Sequence, residues 1–210
     1  MKTKILQIYY DQNSQSKLDK GFIPLNNIDK NTELFENKVI YDFYLSELYK
    51  DVDFLGVLSW RFFEKTGYNS KQVYEILTKN NYKSFSFMPR RCENYAGPYH
   101  RTGFGNVHEL IKQIDRTDIL KVKLKHYKPA VNVWCNYFIC TPDVFEKYVK
   151  NYLEPVVKHF AKKENQKYLL LTEKHRGKPC AAMTFFLEGL YSVFIEQEKI
   201  NHKLIEPNYK

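Results

Sequence analysis

Lys4-Ile5-Leu6-Gln7-Ile8-Tyr9-Tyr10 is the stretch on which the fold turns. It is short, apolar and aromatic, and it gives way at once to the polar chain from Asp11 to Lys20. A run of this length without strict alternation reads as a strand buried on both faces, the habit of parallel sheets. A helix is expected next. Asn31 to Lys50 sets Leu34, Phe35, Val39, Phe43 and Leu45 to Leu48 at helical spacing, Asn31 or Thr32 can cap it, and Glu33 and Glu36 sit at the positive end of its dipole. Phe54 to Leu58 is a second apolar run, and Asn69 with Gln72 forms a capping-box pair ahead of a helix over Ser70 to Asn80. Ser84 to Met88 reads as a third strand stopped by Pro89, and Asn106 to Ile114 as a short helix after the irregular stretch Arg90 to Gly105. Val131 to Ile139 is β-branched and aromatic, and Thr141-Pro142-Asp143 opens a helix running to about Ala161. Tyr168 to Leu171 reads as one more strand and Cys180 to Lys199 as a long helix apolar on most faces. Strands alternating with helices predict an α/β fold, a mixed but mostly parallel central sheet flanked by helices.

The size agrees with a single domain over residues 1–210, and 43% hydrophobic residues with 17 Tyr and 15 Phe can fill its core. Disorder is excluded, and eight Gly and eight Pro exclude collagen-like chains. No apolar run approaches the ~20 residues of a bilayer crossing, and the opening Met1-Lys2-Thr3-Lys4-Ile5 lacks the parts of a secretory signal. A cytoplasmic protein without a transmembrane segment is expected. Cys92, Cys135, Cys140 and Cys180 form no C-x-x-C pair and read as buried thiols. The net charge of +9 is uneven: residues 65–130 carry 13 basic against 5 acidic side chains, whereas residues 1–64 carry 8 against 10. That excess suits an anionic partner, or it is a solvated lysine-rich face.

Ligands of open α/β sheets sit beyond the C-terminal ends of the strands. Four places qualify: Tyr9, Tyr10 and Asp11; Ser59, Trp60 and Arg61 with Lys65 and Thr66; Arg90 and Arg91 through His100 and Arg101; and the neighbourhood of Asn136. They offer aromatic faces for a base, cations for phosphate, and hydroxyl and amide groups for a sugar, so a nucleotide-sized ligand suits them. Glycine-rich dinucleotide and triphosphate cradles and the G-x-S-x-G elbow are absent from the sequence. Asp51-Val52-Asp53 has the D-x-D pattern that holds a divalent cation on a diphosphate, but it precedes its strand and so belongs at the wrong edge. Cations stand at the end of the third strand, and Arg90 and Arg91, with Lys65 or Arg61, are expected to neutralise a diphosphate in the metal's place. Glu188 interrupts the apolar Ala181 to Phe194, where a charge is costly unless used or paired. It is a candidate general base or hydroxyl-orienting carboxylate, or one half of a buried ion pair.

Three segments carry a resemblance. Phe54 to Phe62 (FLGVLSWRF) resembles the aromatic-x-Gly strand and arginine loop of bacterial and viral glycosyltransferases of the capsular-polysaccharide type. Cys135 to Cys140 (CNYFIC), with the helix through Phe145, Tyr148 and Leu153, is similar to their N-x-F-I strand and helix, and Thr184 to Tyr191 (TFFLEGLY) to their terminal F-L-x-E-R-L helix. The resemblance implies a GT-A-like fold that moves a sugar from a nucleotide-sugar donor, UDP- or GDP-linked and often with Mn²⁺ or Mg²⁺, to a glycan or glycoprotein acceptor. The chain departs from it in having Gly189 where the pattern has arginine, and in lacking a well-placed D-x-D. On this view the base lies near Tyr9 and Tyr10, the phosphates near Arg61, Lys65, Arg90 and Arg91, with Asp11 and Ser59 also on the donor side, and the acceptor near Asn136 and Glu188. The alternatives are a basic nucleic-acid-binding module, favoured by the charged middle third but without a nucleic-acid motif, and a sugar-nucleotide-binding domain without catalysis.

Overall fold

In the computed structural model, which describes residues 1–28, 34, 36–88, 105–126, 133–175 and 177–208, the opening apolar run forms β1 (Thr3–Tyr9). Residues Leu6 and Ile8 point into one core and Ile5 into another, which is why the run is apolar without alternating. β1 pairs in parallel with β2 (Ile23–Asn26) on one side and β3 (Phe54–Ser59) on the other. β3 meets β5 (Phe138–Cys140) antiparallel, β5 meets β4 (Ser84–Phe87) antiparallel, and β4 meets β8 (His202–Ile205) in parallel. Among the described residues the sheet therefore reads β2-β1-β3-β5-β4-β8, with five strands running one way and β5 against them. Gly56 lets β5 come close: a Cβ there would lie 2.8 Å from Ile139 Cγ1 and 2.9 Å from the Phe138 carbonyl.

Helices cover both faces. On the first lie α2 (Glu36–Leu45), α5 (Gly105–Asp115), α6 (Pro142–Tyr148), α7 (Glu154–Ala161) and α8 (Ala182–Gln197), with Phe138 stacked on Tyr191 at 3.7 Å between ring centroids. On the second lie α3 (Phe62–Thr66) and α4 (Ser70–Lys79), which bury Phe62, Val73 and Leu77 against Leu58, Phe85 and Ile139. A short α1 (Gln12–Gln15) follows β1, and β6 (Thr172–His175) with β7 (Lys178–Ala181) makes a separate hairpin. Among the described residues no helix is long and apolar enough to cross a membrane.

The α4 cap forms as its sequence demands: Asn69 Oδ1 accepts from Gln72 N–H and Gln72 Oε1 accepts from Asn69 N–H, both at 3.0 Å. Replacing Asn69 with alanine is expected to cost about 1 kcal/mol, read as a lower urea midpoint at unchanged slope. An unchanged midpoint would show that the cap contributes nothing.

The structure corrects several expectations. The expected strand over Val131 to Ile139 is broken: Val131 and Asn132 lie outside the described residues, Trp134–Tyr137 turns, and from Val133 on only Phe138–Cys140 pairs, because Cys135 and Asn136 take positive φ. Of Tyr168 to Leu171, the first three residues end a 3₁₀ segment, Lys163–Leu170, Leu171 follows it in extended conformation, and the strand starts at Thr172, paired with Ala181 of β7. Cys180 pairs with Glu173 in that hairpin, so the long helix begins at Ala182. The helix from Pro142 to Ala161 contains a π-helical turn over Val149–Leu153. Pro155 is its physical reason, since proline donates no N–H and its ring pushes away the carbonyl four residues earlier, which a widened turn accommodates. β2 and β8, both short, were not expected.

Candidate functional site

β1, β2, β3, β4 and β8 all end at one edge of the sheet, and β5, running against them, begins there. Tyr9, Tyr10 and Asp11, then Ser59, Trp60 and Arg61, and the turn Trp134–Tyr137 therefore meet at this exit edge. Trp60 N–H donates to Ile8 O at 2.9 Å, Asn27 N–H to Tyr9 O at 2.9 Å and Phe87 N–H to Tyr137 O at 2.8 Å, which ties the strand exits together.

The turn is the most unusual piece of backbone at this edge. Tyr137 N–H reaches Trp134 O at 3.1 Å, and the two central residues, Cys135 and Asn136, have φ of 59° and 54°. Two positive values in succession mark the mirror-image turns that normally employ glycine, so the turn stores strain in side-chain-bearing residues. It leaves Asn136 1% exposed, with neither its Nδ2 nor its Oδ1 hydrogen-bonded among the described residues. Beside it, Ser59 Oγ and Tyr137 OH share a 2.6 Å hydrogen bond. Lys65 Nζ lies 3.5 Å from Cys135 Sγ and 5.4 Å from the Tyr137 ring. Gln7 holds the floor, donating from Nε2 to Ser59 O at 3.3 Å and accepting from Asp19 N–H at 2.8 Å.

Trp60 is flanked by cations, Lys17 Nζ at 4.8 Å and the Arg61 guanidinium at 5.6 Å from its ring. Arg61 is also chelated by Glu64, donating from Nε at 2.9 Å and from Nη2, and those hydrogen bonds hold the Glu64 carboxyl below its ordinary range. Tyr9 is buried; Tyr10 is half-buried, and burial together with the Glu36 carboxylate pushes its hydroxyl pKa up. Asp11 caps α1, accepting from Ser14 N–H at 2.6 Å, and that bond holds its carboxyl below the usual value. Arg90 and Arg91 lie outside the described residues, as do His100 and Arg101.

Glu188 sits in α8, 8% exposed. α8 runs away from the exit edge: its later half reaches Ser84, at the start of β4, through Tyr191 OH at 2.7 Å, and the chain then enters β8 beside the same residue. Glu188 therefore lies on the half of the helix nearer the exit edge. One turn further on, Ser192 Oγ accepts from Val133 N–H at 2.8 Å, just ahead of the strained turn.

Asp51 and Asp53 are exposed at the opposite edge, where Asp53 accepts from Lys2 N–H at 2.6 Å. Of the other acids near the exit edge, Asp11 is a cap, Glu64 is bound to Arg61, and Asp19 accepts from Ser70 Oγ at 2.6 Å. No three potential metal ligands converge among the described residues. An apolar cavity of about 390 Å³ opens between β1, β2 and α2, walled by Leu6, Leu25, Val39 and Phe43. Asn26 and Asn27, at the exit end of β2, reach its rim, whereas the Ser59, Trp60, Arg61 and Asn136 groups do not line it.

Sequence reading missed the contributions of Lys17, Cys135 and Tyr137. Lys17 carries no signal in a lysine-rich chain. Cys135 and Tyr137 flank Asn136, and only the assumption of an unbroken strand hid their place at the exit.

These elements define a GT-A-like α/β fold, a mostly parallel six-stranded sheet between helical layers with its polar groups gathered at the exit edge. The structure of WbbM, a bifunctional glycosyltransferase in its apo form, matches 99% of this chain at a TM-score of 0.51 and 11% identity. The chain spans 45% of that protein's length, and the likeness establishes a glycosyltransferase-like fold. A197 from STIV matches 98% of the chain and 82% of its own at a TM-score of 0.42 and 12% identity. No family model matches the chain, and no curated protein matches it in sequence.

Proposed function

We propose that the chain is a glycosyltransferase that takes a sugar from a nucleotide-sugar donor, UDP- or GDP-linked, to a glycan or glycoprotein acceptor. The observation that carries this reading is Asn136, a buried carboxamide held by a strained turn at the exit edge of a glycosyltransferase-like sheet with its hydrogen bonds unmade among the described residues. Such a group costs stability unless a ligand completes it. Lys65 stands beside it, and Arg61 and Lys17 lie around Trp60. In the proposed reaction the bond from the sugar's anomeric carbon to the diphosphate breaks, its electron pair leaves with the phosphate, and the lysines and Arg61 balance that charge. The acceptor oxygen forms the new bond and its proton passes to Glu188. Tyr9 and Tyr10 would line the base, and Ser59, through Tyr137, would fix the position of Lys65. Arg90 and Arg91 remain candidates for the same diphosphate.

The test is thermal denaturation with UDP-, GDP-, dTDP- and CMP-sugars, each with and without Mn²⁺, since a ligand that binds only the native state raises the melting temperature. One nucleotide class is expected to stabilise the protein, and the Mn²⁺ arm reports whether a cation joins it. No shift with any donor, together with oligonucleotide binding that weakens steeply with salt, would replace this reading with the nucleic-acid one.

A further inference from the structure

The cavity of about 390 Å³ beneath α2 falls within the size range of small-molecule sites and is larger than apolar cavities known to take up benzene. Folded interiors hold few voids bigger than a water molecule, so apolar space of this size calls for an occupant. Its shape is that of a narrow slot. The floor is two strands wide: Lys4 and Leu6 of β1 and Ile23 and Leu25 of β2 stand on one face of the sheet, because the ladder sets Leu6 beside Ile23, and neighbouring strands lie about 4.8 Å apart. The roof is one stripe of side chains, Val39 and Phe43 of α2 with Ser46 just past its end. α2 runs lengthwise over it. Glu36, at the start of the helix, hydrogen-bonds Tyr10 beyond the end of β1, and Leu48, past its end, accepts from Lys4 near the beginning of that strand. Asn27 follows the Tyr9–Asn26 pair, so from the level of Lys4 to that of Asn27 the walls extend about 20 Å along the strands. Such a slot admits an extended chain more readily than a ring system.

Its two ends differ in charge. The exit end carries the neutral carboxamides of Asn26 and Asn27. The far end carries Lys4, whose ammonium donates to the neutral Leu48 carbonyl at 2.5 Å and has no carboxylate partner among the described residues, whereas Asp42, the acid on the wall, is tied to Lys38. Ile23 and Leu48 are 44% and 61% exposed, so the apolar lining continues to the surface beside β2, the edge strand of the sheet.

We propose that this cavity binds a single-chain amphiphile of the fatty-acid kind, with its alkyl chain along β1 and β2 beneath α2 and its carboxylate on Lys4. The chain takes Leu6, Leu25, Val39 and Phe43 out of contact with water, and the carboxylate gives Lys4 the charged partner it lacks. A second copy of the protein seated on Ile23 and Leu48 would cover the mouth and leave the interior empty. The site is separate from the groups at the strand exits, and the proposal stands independently of the sugar-transfer reading.

The experiment is calorimetric titration of the wild-type protein with octanoate, decanoate, dodecanoate and tetradecanoate, each below its micelle concentration, and with decan-1-ol. One molecule is expected to bind per chain, about fourfold tighter for each added methylene until the cavity is full and level beyond that length. Val39→Phe, which fills the slot from its roof, should weaken decanoate at least tenfold while melting at or above the wild-type temperature, and Leu25→Phe fills it from the floor should the first variant fail to fold. Lys4→Met should weaken decanoate severalfold and leave decan-1-ol unchanged. Absence of saturable binding by every chain, or an affinity that climbs with length without levelling and ignores Val39→Phe, overturns the proposal. Equal losses of decanoate and decan-1-ol in Lys4→Met overturn the placement of the carboxylate. A wild type that sediments as a dimer, undisturbed by the alkyl ligands and returned to monomer by Leu48→Asp, assigns the surface to a second copy and overturns it as well. None of these outcomes bears on the melting screen with sugar nucleotides.

Discussion

Glu188→Gln is expected to lower sugar transfer by about 10²- to 10⁴-fold with little change in donor affinity. Glutamine keeps the shape and the hydrogen-bonding reach of the side chain, so the substitution removes chiefly the ability to take a proton. Two features give the residue this weight. It is a carboxylate 8% exposed in a helix that otherwise buries Phe186, Leu187, Leu190 and Tyr191, and it occupies the half of that helix nearer the exit edge. The measurement is the single-turnover rate with the donor that the melting screen selects, alongside donor titration and the melting temperature. A variant that transfers sugar at the wild-type rate but melts several degrees lower would make Glu188 one half of a structural ion pair and end its role as base. A large loss of donor affinity at an unchanged rate would move it from the acceptor side of the site to the donor side.

Acidification from pH 6.5 to pH 4 is expected to remove about 3 kcal/mol of folding stability through His202 alone. Burial lowers the His202 pKa from 6.5 to about 4. Its Nδ1 lies 2.9 Å from Ser84 Oγ, and its Nε2 is buried without a partner among the described residues, so nothing there welcomes a second proton. The unfolded chain takes up a proton as pH falls below 6.5, whereas the folded chain resists until about 4. The contribution is therefore complete above pH 6.5 and declines through the interval at about 1.4 kcal/mol per pH unit. Urea unfolding of the wild type and of His202→Gln at steps from pH 7 to pH 4 checks it: the wild type should lose stability faster across the interval. Parallel curves would show that the imidazole titrates alike in both states. The effect is local to the far edge of the sheet, because His202 opens β8, which holds to β4 from Ser84 to Phe87.

The parts of the fold that were legible in the sequence are those decided over a few neighbouring residues. Asn69 and Gln72 cap α4 because each reaches the other's backbone three residues away. Pro142 starts α6 because its missing N–H would have had no helical acceptor there. β2 and β8 were not legible, since Ile23-Pro24-Leu25-Asn26 and His202-Lys203-Leu204-Ile205 become strands only by lying beside β1 and β4. Pro24 in particular is tolerated because β2 is an edge strand. The same division runs through the site. Ser59, Trp60 and Arg61 follow directly from where an apolar strand stops, and Glu64 as the partner of Arg61 is a matter of spacing along α3. The Ser59 to Tyr137 hydrogen bond joins residues 78 apart, and the left-handed conformation of Cys135 and Asn136 answers to packing that no local pattern encodes.

The π-helical turn at Val149–Leu153 bears on how this chain should be aligned with others. Such a turn is a helix carrying one surplus residue, which keeps the faces of α6 and α7 in phase across Pro155. A related sequence without a proline at this point would close the turn into an ordinary α-helix by dropping that residue. The gap so produced would fall inside a continuous helix, and moving it to the next loop would set every position of α7 one residue out of register.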